Sequence, residues 1–311
     1  MFYYEIYGLK VASDFELAAA RSIPAFPEEE RQVLIHSGSI DEDLLPNPDR
    51  KIHPEEKLIT GYDGKRCWVR SLGNGCFVLR DGQEVLYRLE DTYSPLLVCE
   101  IFLCLCLGLI MIQRDGLMLH GSAVRWGNDG ALIISGKSGS GKSTLTAALL
   151  QAGGVFMADD AVALQVDEGL VYAYPSYPQQ KLTAAMATAH GLNLDQLIAL
   201  PDEDEGEKYA LRLDEGSFCA ERQPVRAMIV LCVEDVEQGS IKKITGNAKL
   251  QYFTDNLYKV LTYQRMGFGK KKFMESVYIA DRIEIYELVR PLKGISVEEE
   301  AALVYNALAP A

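Results

Sequence analysis

Alternation of apolar and polar positions divides the chain into a β-rich first part and an α/β second part. Phe2 to Val11 alternates aromatic and polar residues at a period of two, which predicts a strand, and Phe15 to Arg21 suits a short connection or helical turn. Pro24, Pro27, Pro46, Pro48 and Pro54, with acidic residues at 28–30 and 41–43, predict a loop-rich stretch. Short strands are predicted at Lys65–Ser71, Cys76–Arg80 and Glu84–Glu90, joined by turns at Asn74-Gly75 and Asp81-Gly82. An apolar run, Leu96 to Ile112, closes this part, so residues 1–115 read as an N-terminal β-rich domain ending in an apolar helix. The run has about the length of a membrane span. Glu100 inside it would be costly in lipid, so a buried core helix is expected and no membrane association.

From residue 116 the pattern changes. Met118–Val124 and Ala131–Ser135 read as strands around a turn at Gly127–Gly130, and Thr144–Gln151 is helical up to Gly153-Gly154. Val155–Ala158 is a strand, and Ala161–Val166 with Leu170–Tyr174 forms a hairpin about Asp167-Glu168-Gly169. Lys181 to Leu200 is expected to be mostly helical, ending at Pro201, and residues 202–206 a solvated acidic loop. Strands are expected at Arg226–Glu234, Ile241–Ile244 and Arg282–Val289. A helix from Asn247 would put Leu250, Phe253, Leu257 and Val260 on one face. Ser296 and Glu299 form a capping box for a last helix through Leu308. Residues 116–311 thus predict a second, α/β domain, and no internal repeat is present.

Its chemistry is concentrated in Gly136-Lys137-Ser138-Gly139-Ser140-Gly141-Lys142-Ser143, followed by Thr144, which fits G-x-x-x-x-G-K-[ST] between a strand and a helix. In that context the glycines let successive backbone N–H groups and the helix N-terminus face phosphate oxygens. Lys142 would reach the β/γ-phosphates and the Ser143 hydroxyl a Mg²⁺ ion. A nucleotide is therefore the expected ligand.

The chain of 311 residues carries a net charge of −13, which argues against a phosphate-backbone binder and leaves a local nucleotide site untouched. Its 48% hydrophobic content is that of a soluble globular protein. Seven cysteines, none in a C-x-x-C pair, fit buried thiols in a reducing cytoplasm, and Met1–Glu5 lacks the features of a signal peptide.

Asp159-Asp160 follows an apolar strand sixteen and seventeen residues after Ser143, room for one helix and one return strand. The pair should therefore emerge beside the phosphate loop. One aspartate can serve the metal while the other, its pKa raised by its like-charged neighbour, takes a proton from an attacking hydroxyl; which does which is open. Lys208 and the run Lys270-Lys271-Lys272 are able to contact phosphate or an acidic peptide but read more readily as solvated surface, with Lys208 the weak candidate for substrate contact. Arg212, Arg226, Arg265 and Arg290 are equally eligible as a charge stabiliser.

These residues resemble bacterial HPr kinase/phosphorylase and its relatives, which show His-Gly before the loop, then G-x-S-G-x-G-K-S, then Ala-Asp-Asp. Here they are His120-Gly121, Gly136 to Ser143, and Ala158-Asp159-Asp160, and the likeness spans residues 118–182. It implies an α/β P-loop kinase core with a mixed sheet, related to phosphoenolpyruvate carboxykinase, using ATP and Mg²⁺. It also implies that His120, Lys142 and one of Asp159 and Asp160 are catalytic, and that Ser143 is a metal ligand. The nearest counterpart of that family's later Pro-Val-Arg-Pro-Gly-Arg signature, Val289-Arg290-Pro291-Leu292, lacks the Gly-Arg. Tyr3–Leu9, Tyr174–Leu182 and Glu207-Lys208-Tyr209 look more like the HPr-kinase-like proteins of peptide-tailoring gene clusters. Some of those phosphorylate a serine of a precursor peptide, including the C-terminal serine of lasso-peptide precursors. The resemblance thus implies a cytoplasmic serine kinase acting on a precursor peptide or small protein. An HPr kinase/phosphorylase proper and a nucleotide-binding regulator without phosphoryl transfer are the alternatives.

Overall fold

The computed structural model describes residues 1–41, 58–62, 66–189, 191–200, 208–259, 262, 263, 266 and 268–308. The predicted acidic loop at 202–206, Pro46, Pro48, Pro54, Val260 and Arg265 lie outside the described residues. The chain forms two compact units: Met1–Gly116 with Leu261–Gly269, and Leu117–Val260 with Lys270–Ala311. The short return of 261–269 to the first unit has no signal in the sequence.

In the first unit, β1 (Phe2–Ile6), β2 (Leu9–Ser13), β3 (Val33–Ser37), β4 (Leu58–Tyr62), β5 (Arg66–Ser71), β6 (Gly75–Arg80) and β7 (Glu84–Leu89) make one sheet, ordered β1-β2-β3-β7-β6-β5-β4. The single strand expected over Phe2–Val11 is a hairpin. Tyr7 (φ +54°) and Gly8 (φ +74°) turn the chain in the left-handed conformation that a two-residue hairpin loop requires. The apolar run is helix α1 (Pro95–Gln113), opened by the Ser94 hydroxyl accepting the Leu97 N–H at 3.4 Å. By length and composition α1 could cross a membrane. Its most apolar window is 72% buried, however, and Phe102 meets the rings of Phe77 and Tyr87 edge-on, each at 5.2 Å. It is the core helix of this unit. All seven cysteines are free thiols, five of them buried.

The second unit begins with β8 (Leu117–Arg125), β9 (Ala131–Gly136), helix α2 (Lys142–Gln151), β10 (Val155–Ala158), β11 (Ala161–Asp167) and β12 (Leu170–Tyr174). A small antiparallel sheet follows: β13 (Gln179–Thr183), β14 (Ile198–Leu200) and β15 (Lys208–Arg212), with helix α3 (Ala184–Ala189) after β13. The helix expected over 181–200 is therefore confined to α3, since pairing with β15 holds Lys181 to Thr183 extended. β16 (Gln223–Glu234), β17 (Ser240–Ile244) and β18 (Glu284–Pro291) complete an eight-stranded mixed sheet, ordered β10-β8-β11-β12-β16-β18-β17 with β9 between β8 and β16.

Three more helices, α4 (Ala248–Asp255), α5 (Lys270–Arg282) and α6 (Val297–Leu308), pack around it. α4 ends at Asp255, so Leu257 leaves the expected helical face and bridges to Leu119 on β8. The lysine run opens α5, and Lys272, expected on the surface, is buried. The capping box at α6 forms as read: Ser296 N–H reaches the Glu299 carboxylate at 3.0 Å and Glu299 N–H reaches Ser296 Oγ at 3.1 Å.

Two features position the site. Val124, Leu132, Ile134, Leu145, Leu149, Ile229, Leu231, Leu288 and Val304 form one buried cluster that clamps α2 and α6 onto the sheet. At ~1.5–3 kcal/mol for each such side chain removed from water, it fixes where α2 begins. Strands β9, β16 and β18 run parallel, pairing Gly136 with Leu231 and Val233 with Arg290, so their carboxyl ends share one edge. In open α/β sheets that edge is where ligands bind.

Candidate active site

β9 delivers Gly136 to the carboxyl edge, and α2 starts six residues later at Lys142 with Gly141 as its N-cap. Gly141 has φ +103°, and a Cβ there would fall inside the Arg290 guanidinium. Folding back over the loop, Lys142 Nζ donates to the carbonyls of Gly136 at 2.9 Å and Lys137 at 3.1 Å. The first-turn N–H groups of a helix have no partners within it, and here they face a cavity together with a lysine.

The acid pair lies at the tight corner between β10 and β11, where Asp160 takes φ +69°. The carboxylate of Asp159 is engaged at both oxygens, accepting from Ser122 Oγ at 2.7 Å and from the Lys181 N–H at 2.8 Å. That of Asp160 is held instead by the charge of Lys181 Nζ at 3.5 Å, with His120 Nδ1 3.8 Å away. Burial pushes Asp160 upward, but Lys181, then His120, Lys259 and Lys208, outweigh it and hold the carboxyl below its ordinary pKa. The expectation of an aspartate raised by its neighbour is thus corrected for Asp160, because the local cations overrule the like charge.

His120 sits on β8 opposite Ala161, where the backbone of Asn256 receives its N–H at 2.8 Å and Ser135 Oγ donates to its carbonyl at 2.5 Å. Its Nδ1 lies 3.1 Å from the Asp160 carbonyl, which can only accept, so Nδ1 carries the hydrogen and a neutral ring keeps a lone pair on Nε2. Burial lowers the His120 pKa, opposed by Asp160 and reinforced by Lys142, so the neutral ring is favoured near neutral pH. Gly121, next in sequence, has no room for a Cβ against the Ile134 carbonyl, which lets β8 and β9 close up beside the loop.

One cavity of about 740 Å³ brings these groups together. Its walls include Ser138, Gly139, Gly141, Lys142, Ser143 and Thr144 from the loop and helix, and His120, Asp159 and Asp160 from the strands. Gly136, Lys137 and Ser140 belong to the loop but do not line the cavity. The opposite wall is the small sheet. Thr183 pairs with Lys208, and Lys181, two residues before Thr183, shares its face, so both lysines line the cavity. Arg290 enters from β18.

Lys181 and Arg290 were not singled out by the sequence. Lys181 falls in a stretch read as helix; Arg290 is one of four eligible arginines and also lies in Val289-Arg290-Pro291-Leu292, the partial counterpart of the family signature, which does not by itself select it. Four cations therefore face two carboxylates, a balance that suits a polyphosphate. Arg290, which lines the cavity, has its Nε buried without a hydrogen-bond partner, which suits an added acceptor oxygen. Among the described residues no group of three His, Cys, Asp or Glu side chains could hold a metal by itself. Ser143 with an aspartate would suit a hydrated Mg²⁺ carried on phosphate oxygens.

No protein-family model matches the chain, and no curated protein matches it. Among solved structures it is similar to the HPr(Ser) kinase/phosphatase from Coxiella burnetii, with 12% sequence identity and a TM-score of 0.31 over 61% of this chain and 95% of that one.

Proposed function

We propose that this protein is a Mg²⁺-ATP-dependent kinase that phosphorylates a serine hydroxyl of a peptide or small protein. The observation that carries this reading is the cavity in which the phosphate loop and Lys142 face Asp160 and His120. Loop amides and Lys142 would bind the triphosphate, with Lys142 exchanging its contacts with loop carbonyls for phosphate oxygens. Ser143 and Asp159 would hold Mg²⁺, which when bound neutralises charge on the phosphate oxygens.

Asp160 is the general base. It is ionised, and unlike Asp159 it is held by charge contacts rather than by two hydrogen bonds, so it is open to a substrate hydroxyl. As the serine oxygen bonds to the terminal phosphorus and the bond to ADP breaks, the serine proton passes to the Asp160 carboxylate. Neutral His120, its Nδ1–H committed to the Asp160 carbonyl, helps hold that corner in register. Lys181, beside Asp160, keeps the carboxylate ionised until the proton arrives. The finer identity of the acceptor, a C-terminal serine of a lasso-peptide-type precursor, is supported by the sequence resemblance of Tyr174–Leu182 and Glu207-Lys208-Tyr209.

The test is mass spectrometry of serine-bearing peptides, with and without a C-terminal serine, incubated with Mg²⁺-ATP and the protein. A gain of about 80 Da at a serine, abolished in both Lys142→Ala and Asp160→Asn, is expected. Phosphorylation that persists in Asp160→Asn removes Asp160 as base. Mg²⁺-ATP binding without transfer to any peptide or to an HPr-like protein favours a nucleotide-binding regulator.

A further inference from the structure

The cation that the phosphate loop receives from outside its own segment is Arg290. β18 is buried up to Val289, and its neighbour β17 pairs only as far as Val289, while β16 pairs on through Arg290 and Pro291, so Arg290 stands at the carboxyl edge with β16 on one side and past the end of β17 on the other. A turn, closed by the Gly294 N–H on the Pro291 carbonyl at 2.8 Å, takes the chain away immediately afterwards. The guanidinium therefore lies under the loop, where Nη1 donates to the Ser140 carbonyl at 3.1 Å and Gly141 leaves it room.

Most of its capacity is unspent. Of five N–H donors one is committed to Ser140, Nε is buried without a partner, and among the described residues Arg290 makes no ion pair. A cation so placed lacks the counter-charge that burial normally demands. Glu300 on α6 is the buried carboxyl whose titration Arg290 influences, but burial drives that group toward its neutral form.

We infer that Arg290 is a polyphosphate-binding residue of the site, one N–H bracing the loop through Ser140 and the remaining donors taking phosphate oxygens of the bound nucleotide. This assignment rests on the reading of the cavity as a nucleotide site and adds a second function to the arginine: it fixes the loop and supplies charge with one planar group. A lysine could not do both, because its ammonium is a point donor without the fork.

The test compares Mg²⁺-ATP and adenosine binding by calorimetry in wild type, Lys142→Ala, Arg290→Gln and Arg290→Lys, with thermal unfolding of each. Glutamine removes the charge and, two bonds shorter, also gives up the bond from Nη1 to the Ser140 carbonyl, so thermal unfolding and adenosine binding report the loss of the brace separately from the loss of charge. Arg290→Gln is expected to unfold within a few degrees of wild type and to lose about tenfold or more in Mg²⁺-ATP affinity, a loss of the size expected for a charged hydrogen bond. Its adenosine affinity should stay within about twofold, and its ATP affinity should depend less on salt than that of wild type. Arg290→Lys should fall between the two. Wild-type affinity for Mg²⁺-ATP in Arg290→Gln, while Lys142→Ala loses binding, overturns the role of Arg290 and leaves the nucleotide site standing. Equal losses for ATP and adenosine mark a purely structural arginine and overturn it as well. Failure of the wild type itself to bind Mg²⁺-ATP overturns the site and this assignment together.

Discussion

The carboxylate of Asp159 accepts the backbone N–H of Lys181 at 2.8 Å, tying the acid pair to the strand that forms the opposite wall of the cavity. Through that bond β13 is registered so that Lys181 reaches Asp160 and Thr183 pairs with Lys208. On the proposed reading the two adjacent aspartates therefore have different work: Asp159 organises the wall besides serving Mg²⁺, and Asp160 takes the proton.

Substitutions should separate the two. Asp159→Ala strands the Ser122 hydroxyl and the Lys181 N–H, and unfolding should show a loss of about 1–3 kcal/mol together with lost activity. Asp160→Asn keeps shape and hydrogen-bonding capacity; its stability should stay near wild type while the transfer rate falls by about 10²–10⁴. Thermal unfolding paired with initial rates reads both. Equal stability losses would contradict the division of labour.

The pH profile of transfer follows from the same corner. Asp160 and His120 both titrate below their ordinary values, and the proposed mechanism uses the carboxylate and the neutral ring. Activity should therefore hold through neutral pH and fall on the acid side only below the ordinary histidine value of 6.5. Among the charges that hold Asp160 ionised, Lys181 is the strongest. Lys181→Met should move the acid limb to higher pH, and an unmoved limb would exclude Asp160 as its origin.

Much of this was legible beforehand because the informative patterns were local. The strand–glycine–helix succession from Ala131 to Gln151 and the Ala158-Asp159-Asp160 corner need only short-range information, and both took the secondary structure expected of them. The misreadings came where tertiary pairing decides. Gln179 to Thr183 is buried on both faces for most of its length, so it shows no alternation, and the alanine-rich 184–189 lent it a helical appearance. Tyr7 hid a turn because a tyrosine rarely takes positive φ. The α5 helix was masked by its opening lysines, although Ser276, Ile279 and Ala280 supply a buried face. Arg290 is set apart in the sequence only by its place in the partial signature Val289-Arg290-Pro291-Leu292; its position at the loop depends on β18 running parallel to β16, which in turn pairs with β9.

Glu300 gives a stability prediction with a defined sign. Burial raises its pKa above 4.5, so the native state binds its proton more tightly than the unfolded chain does. Its contribution is favourable in acid and is lost as pH rises from 4.5 through the native value. Glu300→Gln should therefore unfold at a higher temperature than wild type near pH 8, with the advantage shrinking below pH 4.5. Identical pH dependence of the two proteins would show that Glu300 is not held neutral.

The start of α6 offers a simpler check. Ser296→Ala removes the hydroxyl that caps Glu299 and should cost about 1 kcal/mol in denaturant unfolding. Because α6 packs through Val304 into the cluster that holds α2, the loss should appear in the unfolding of this unit without abolishing nucleotide binding.

The most direct test of the central claim, that this cavity is built for a Mg²⁺-nucleoside triphosphate, is a calorimetric titration of Mg²⁺-ATP into wild type and Lys142→Ala at one salt concentration. The account predicts saturable one-to-one binding by the wild type, weakened about tenfold or more when Lys142 is removed. Absent binding, or equal binding by the two proteins, would contradict it.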